Sequence, residues 1–307
     1  MANRINSVFT LEDALIAYAA GDNGLLLKTT DGGANWTKLI VPTRVNLYSV
    51  CFPGQGMIGY ACGDKGTILK TEDEGKTWHL LSAGTELDLR AIKFPISPEI
   101  GFVAGDRGTV LRTTDYGRTW EKLPTATEEK IMDIHFPADE LTGYAVGLNS
   151  TILKTTTSGS AWFSQTGNVN GLVSHIHFTA VHFPADDQVG FVTTSSGKVF
   201  FTPDGGETWR PLPIDFVLPP LYSLDMRHDT MAGFCVGARG TLIHTQDGGE
   251  TWEQLDAGTT RDLFTIRFFA DGIIGIIGGD ELTLLVSRDS GYNWAPVNLK
   301  FSNTRNS

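Results

Sequence analysis

Apolar and polar positions alternate along the chain in short runs that stop at glycine or proline. Residues 47–52, Leu-Tyr-Ser-Val-Cys-Phe, alternate, are rich in β-formers and end at Pro53. Residues 57–62 form a second such run, closed by the Gly63-Asp64-Lys65-Gly66 turn. Residues 67–71 are a third, and residues 78–81, after an Asp73-Glu74-Gly75-Lys76 turn, a fourth. No helical period lies between them. These four predicted strands, A to D, recur along the whole chain. Each strand A starts at the equivalent of Leu47, namely Ile5, Leu89, Ile131, Phe178, Leu221 and Leu263. The clearest marker of the period is tryptophan. All seven indoles, Trp36, Trp78, Trp120, Trp162, Trp209, Trp252 and Trp294, open strand D, at spacings of 42, 42, 42, 47, 43 and 42 residues.

Four short antiparallel strands per unit of about 42 residues describe one blade of a β-propeller. Seven units predict an all-β, single-domain, seven-bladed ring of four-stranded antiparallel blades. The predicted blades span about 5–43, 44–86, 87–128, 129–173, 174–218, 219–260 and 261–300. The seventh ends with its own strand D, so closure is expected by packing of blade 7 on blade 1. Residues 300–307 are a polar tail, expected to fray. The D–A connection of blade 4, Phe163 to His177, is about five residues longer than the others and marks a candidate binding loop.

The turn before each tryptophan reads Thr/Ser-x-Asp-x-Gly-x-x-Trp. Its Asp residues are Asp31, Asp73, Asp115, Asp204, Asp247 and Asp289. The carboxylate is expected to accept from backbone N–H groups just after it. The indole is expected to fill the gap beside the next blade. Blade 4 has Thr157 instead, which predicts the least well tied turn.

This pattern resembles the Asp-box, or BNR, repeat of sialidases and sortilin-type receptors. Over residues 5–299 the chain resembles the photosystem II assembly and stability factors called Ycf48-like or HCF136-like. That resemblance implies a non-catalytic, seven-bladed interaction propeller that binds membrane-protein assembly intermediates, a role in photosynthesis, protein partners and no cofactor. The chain departs from the resemblance by supplying the closing strand D last rather than first. It also lacks the export signal, and the family's arginine patch cannot be placed on it residue by residue.

Charge narrows the partners. With 24 basic and 35 acidic residues the net charge is −11, which argues against nucleic acid. No apolar run reaches the roughly 18 residues of a membrane span. Glu12 and Asp13 stand where a signal peptide would be apolar, so the expected location is cytoplasmic, or periplasmic, lumenal or extracellular if a leader has been removed. Cys51, Cys62 and Cys235 are too few for a disulfide framework and read as small core residues.

Two sets of polar positions remain. Strand alternation turns Val8, Val50, Ile92, Ile134, Val181, Leu224 and Ile266 toward neighbouring blades. The opposite register, from Ser7 through Asp133 to Thr265, faces the central channel. So do Lys93, His135, His182, Asp225 and Arg267, expected as a solvated polar ring near one mouth. Asp133, His135 and His182 hint at a small-ion site, although their spacing is no known metal motif, and no metal is expected. The B–C turns place Lys65, Arg107 and Arg239 at one position on a rim, with the long D–A loop on the same face, as a candidate docking surface for an acidic partner. The residues Lys28, Lys70, Arg112, Lys154 and His244 on strand C read as snorkelling side chains with no function. A sialidase-like glycosidase would need an arginine cluster, a tyrosine nucleophile and acid carboxylates. Tyr48 and Tyr222 fall in a packing register with Arg90 and Met132, and no arginine-triad motif is present. A non-catalytic interaction module, an assembly factor or scaffold subunit of a larger membrane-associated complex, is therefore the leading reading. A permanent subunit of a phage-tail or contractile-injection particle and a carbohydrate-binding Asp-box propeller are the alternatives.

Overall fold

The computed structural model describes residues 3–11, 15–54, 56–170 and 176–299. They form seven four-stranded antiparallel sheets, each built from four consecutive strands in the order A-B-C-D. The chain is a seven-bladed β-propeller. In blade 2 the strands are Leu47–Cys51, Gly59–Gly63, Thr67–Thr71 and His79–Ser82. Helical structure among the described residues is limited to short 3₁₀ turns. No helix there is long and apolar enough to cross a membrane.

Strand B is buried along its whole length in every blade, because it is covered by a neighbouring blade on each face. The register predicted to face neighbouring blades is buried throughout, from Val8 to Ile266.

The inter-blade wedge is larger than the indole alone, and it points the other way from the expectation. Each Trp packs against the preceding blade. Trp78 shares a core with Tyr18, Ala20 and Leu26 of blade 1, and Trp162 with Phe102 and Leu123 of blade 3. The reason is an aromatic sandwich. A ring from strand B of one blade stacks on the residue after strand A of the next, and the Trp of that next blade meets the stack edge-on. Tyr60, Phe94 and Trp120 show it, with centroids 3.9 Å and 6.2 Å apart. The same trio recurs as Tyr18–Phe52–Trp78, Phe102–Phe136–Trp162, Tyr144–Phe183–Trp209 and Phe234–Phe268–Trp294. Such edge-to-face pairs contribute about 1 kcal/mol beyond the area they bury.

The sandwich dictates a glycine. Strand B opens with Gly59 or Gly101 because a Cβ there would lie 2.3 Å from the Phe52 or Phe94 ring. In blade 1 the ring position is Thr10, and the glycine position is Ala17, its register partner.

The ring closes by packing, with no strand shared between the termini among the described residues. At this seam Ile276 and Thr10 replace the two stacked rings, while Trp36 remains, buried against Ile276, Leu284 and Val286. Polar contacts compensate. Val8 N–H donates to Thr265 Oγ1 at 3.1 Å, and Thr10 Oγ1 donates to the Phe268 carbonyl at 3.0 Å. The Leu282 N–H donates to the Asn3 carbonyl, and Arg288 Nη2 to that of Gly32. The tail, residues 300–307, lies outside the described residues.

Candidate docking face and central channel

The Asp-turn is tied by a pair of side chains. In blade 2, Thr71 Oγ1 accepts from the N–H of Asp73 and of Gly75 and donates to Asp73 Oδ1 at 2.8 Å. Asp73 in turn accepts from Thr77 N–H at 2.8 Å and Thr77 Oγ1 at 2.6 Å. These donors hold the Asp73, Asp115 and Asp247 carboxyls down at about 2. The turn pattern alone shows no role for the threonine, yet its hydroxyl satisfies the glycine N–H. In blade 4, Thr157 Oγ1 accepts from Ala161 N–H at 3.0 Å and has no counterpart to the Thr77 hydroxyl bond, because position 161 is alanine. The turn holds its shape with fewer bonds, as its sequence suggested.

On the opposite face lie the B–C turns and D–A loops. Lys65, Arg107 and Arg239 are exposed there, each with a left-handed backbone at φ 55°, 53° and 59°. Asn23 and Asn149 hold the same position in blades 1 and 4, and asparagine suits that conformation; lysine and arginine do not, at a cost of roughly 1 kcal/mol each. The nearby carboxylates are turned inward. Asp88 accepts from Lys65 N–H at 3.0 Å and from Arg90 Nη2 at 2.9 Å, and Asp262 from Arg239 N–H at 2.9 Å. Asp64 is taken by the Tyr48 hydroxyl and Asp106 by Arg90 and Lys130. The Lys65, Arg107 and Arg239 side chains have no hydrogen-bond or ion-pair partner among the described residues. Residues 171–175 of the long D–A loop lie outside the described residues; its flank is tied down where Asn170 N–H donates to the Trp209 carbonyl.

The channel differs from strict alternation. Every strand A carries a register shift after its first residue, as between Leu47 and Ser49. The bulge takes the second residue out of the packing register. Tyr48, Arg90, Met132 and Tyr222 therefore line the channel mouth on the B–C face, a correction to the packing role expected for them. The third residue stitches blades together. Ser7, Asp133, Ser223 and Thr265 each accept an N–H from strand A of the following blade. Asp133 also accepts from its own Ile134 N–H, which the blade 3 residue Ala91 has no oxygen to receive. Both Asp133 oxygens are thus engaged by backbone, and no group of three or more His, Cys, Asp and Glu among the described residues could hold a metal.

The ring of Lys93, His135, His182, Asp225 and Arg267 is assembled, and its members are half-buried rather than free in solvent. His135 and His182 stack with centroids 5.3 Å apart, and His135 Nε2 meets the Phe183 carbonyl at 3.1 Å. Burial, with Lys93 and Arg267 nearby, pushes His135 down to about 3 and His182 well below its ordinary value. Burial raises the Asp225 carboxyl, while Arg267 at 3.7 Å and Phe268 N–H at 2.7 Å oppose that rise. The cysteines are buried and free; burial lifts the Cys51 thiol to about 12 and the other two further. The strand C cations do snorkel, and they also bridge blades: Lys28 Nζ lies 5.4 Å from the Tyr18 ring and donates to the Glu74 carbonyl at 3.0 Å.

Comparison with known proteins fits these features. The family model described as photosynthesis system II assembly factor YCF48 matches residues 35–127, 117–224 and 220–303. A solved structure titled "YCF48 bound to D1 peptide" is similar at 23% identity, covering 92% of this chain and 93% of that one, with a TM-score of 0.72. YCF48 from Cyanidioschyzon merolae is similar at 17% identity, covering 93% and 95%, with a TM-score of 0.74. An ancestral GH74 enzyme gives 0.75 at 16% identity, covering 96% of this chain but 46% of its own, a likeness of fold alone. No curated protein matches the sequence.

Proposed function

The chain belongs to the photosynthesis system II assembly factor YCF48 family, and from that premise we propose that it is a non-catalytic docking propeller that holds an acidic segment of a protein-complex subunit on its B–C face. One observation carries this reading. Lys65, Arg107 and Arg239 occupy a backbone conformation that disfavours them, project from one face, and leave their charges unpaired while the neighbouring Asp88 and Asp262 carboxylates are bound inward. Strain retained at a surface turn is a pointer to function. Cations free of partners steer and orient an acidic ligand. The aromatic and arginine residues at the adjacent channel mouth, Tyr48, Tyr222 and Arg90, are of the types that anchor interfaces. The relative solved with a D1 peptide supports a peptide as the ligand class.

The test is a fluorescence titration of a labelled D1 peptide against the wild type and against Lys65→Glu/Arg107→Glu/Arg239→Glu. Three reversed rim charges are expected to weaken binding by roughly tenfold or more, with less loss in high salt. Unchanged thermal unfolding controls for folding. Equal binding by the two proteins would remove the B–C face from the proposal.

A further inference from the structure

The channel holds a second feature, independent of the rim. Below the mouth lies a cavity of about 110 Å³. That is room for several waters or for one small polyatomic ion. Its wall is polar, with the hydroxyls of Ser7, Ser49, Ser223 and Thr265 around it. The charged side chains that reach it are Arg90, Lys93, Arg267 and Asp133, three cations against one carboxylate.

Those four are not equivalent. Asp133 spends both oxygens on backbone N–H groups, at 2.9 and 3.1 Å. Arg90 is held by Asp88 and Asp106 at 2.9 and 3.1 Å. Arg267 Nη1 donates to the Leu224 and Ile266 carbonyls and lies 3.7 Å from Asp225. Lys93 is left with three donors and no hydrogen-bond or ion-pair partner among the described residues. Of the ring it belongs to, only Lys93 and Arg267 line the cavity. A polar channel space, open at the mouth, with an excess of positive charge in its lining and an unpartnered ammonium is complementary to an anion with several acceptor oxygens.

We propose that the central channel binds one small oxyanion, a phosphate or a free carboxylate, with Lys93 as its principal ligand, Arg267 as a second cation and the strand A hydroxyls as neutral donors. The ion enters from the B–C face, past Tyr48 and Tyr222. It neutralises charge that the fold leaves uncompensated and ties strands A of several blades to a common centre, so its binding stabilises the ring by mass action.

Isothermal titration of the full chain with sodium phosphate, and separately with sodium acetate, at fixed ionic strength tests this. Saturable binding of at least one of them is expected, and the two arms separate phosphate from carboxylate as the ligand. Lys93→Met is expected to weaken that binding by roughly tenfold or more, through loss of a charge-assisted contact. Lys93→Arg, which keeps the charge, is expected to retain it, and Lys65→Met on the rim to leave it unchanged. The melting temperature of the wild type, and not of Lys93→Met, is expected to rise with the bound anion. Absence of saturable binding for both anions, or affinity unchanged in a folded Lys93→Met protein, overturns the proposal.

Discussion

At the scale of single residues, the repeat turns on a carboxylate and a hydroxyl two positions apart. In blades 2 and 3 the Thr-x-Asp pair accepts from three N–H groups, two at the threonine and one at the carboxylate, so Asp73→Ala or Asp115→Ala removes that one N–H bond together with the carboxylate's bonds from two threonine hydroxyls. Each is expected to lower stability by about 1–2 kcal/mol in urea unfolding. Thr157→Ala, with fewer bonds to lose, is expected to cost less. The channel histidines set a pH dependence. Their folded values lie below the unfolded one near 6.5, so the neutral form is favoured in the fold. That contribution is complete above pH 6.5 and is lost as pH falls from there toward 3. Lys93 and Arg267 add to the effect, Asp225 shifts in the opposite sense lower in the range, and the contribution of the Asp-turn carboxyls is lost only as pH falls toward 2. Stability is expected to fall as pH drops below about 6. His135→Gln/His182→Gln is expected to flatten that slope; the same slope in the double variant would show that other groups control it.

At the scale of elements, the strands and their order could be read from alternation and turn residues, because an antiparallel blade keeps each side chain on a fixed face. Two features could not. The strand A bulge adds one residue without changing composition, so Tyr48 and Arg90 looked like packing positions although they line the channel mouth. The aromatic sandwich joins residues from two blades, and a local pattern shows only one of its rings at a time. A signal was present nonetheless: each Phe after strand A is followed by a glycine opening strand B, and where the ring is Thr10 the glycine is Ala17. Gly101→Ala is therefore expected to cost about 2 kcal/mol or more, since its Cβ would lie 2.3 Å from the Phe94 ring. Phe94→Ala is expected to cost about 3–5 kcal/mol. The double variant is expected to cost less than the two added, as measured in a thermodynamic cycle.

At the scale of the whole molecule, the seven-fold ring follows from the tryptophan period, while the proposed docking surface does not. The rim cations were legible as a set because they share one turn position; the inward engagement of their neighbouring carboxylates was not, since it depends on which loop meets which turn. The seam is where the ring is least aromatic, and Thr265→Val, which deletes the acceptor for Val8 N–H, is expected to destabilise by about 1–3 kcal/mol. Docking of a complex subunit on the B–C face can be read out by quantitative capture from cells that make the protein. Tagged wild type and the folded Lys65→Glu/Arg107→Glu/Arg239→Glu variant would be compared by mass spectrometry. The same complex subunits are predicted to be recovered by the wild type and depleted with the variant. Equal recovery of those subunits by both proteins would contradict the account.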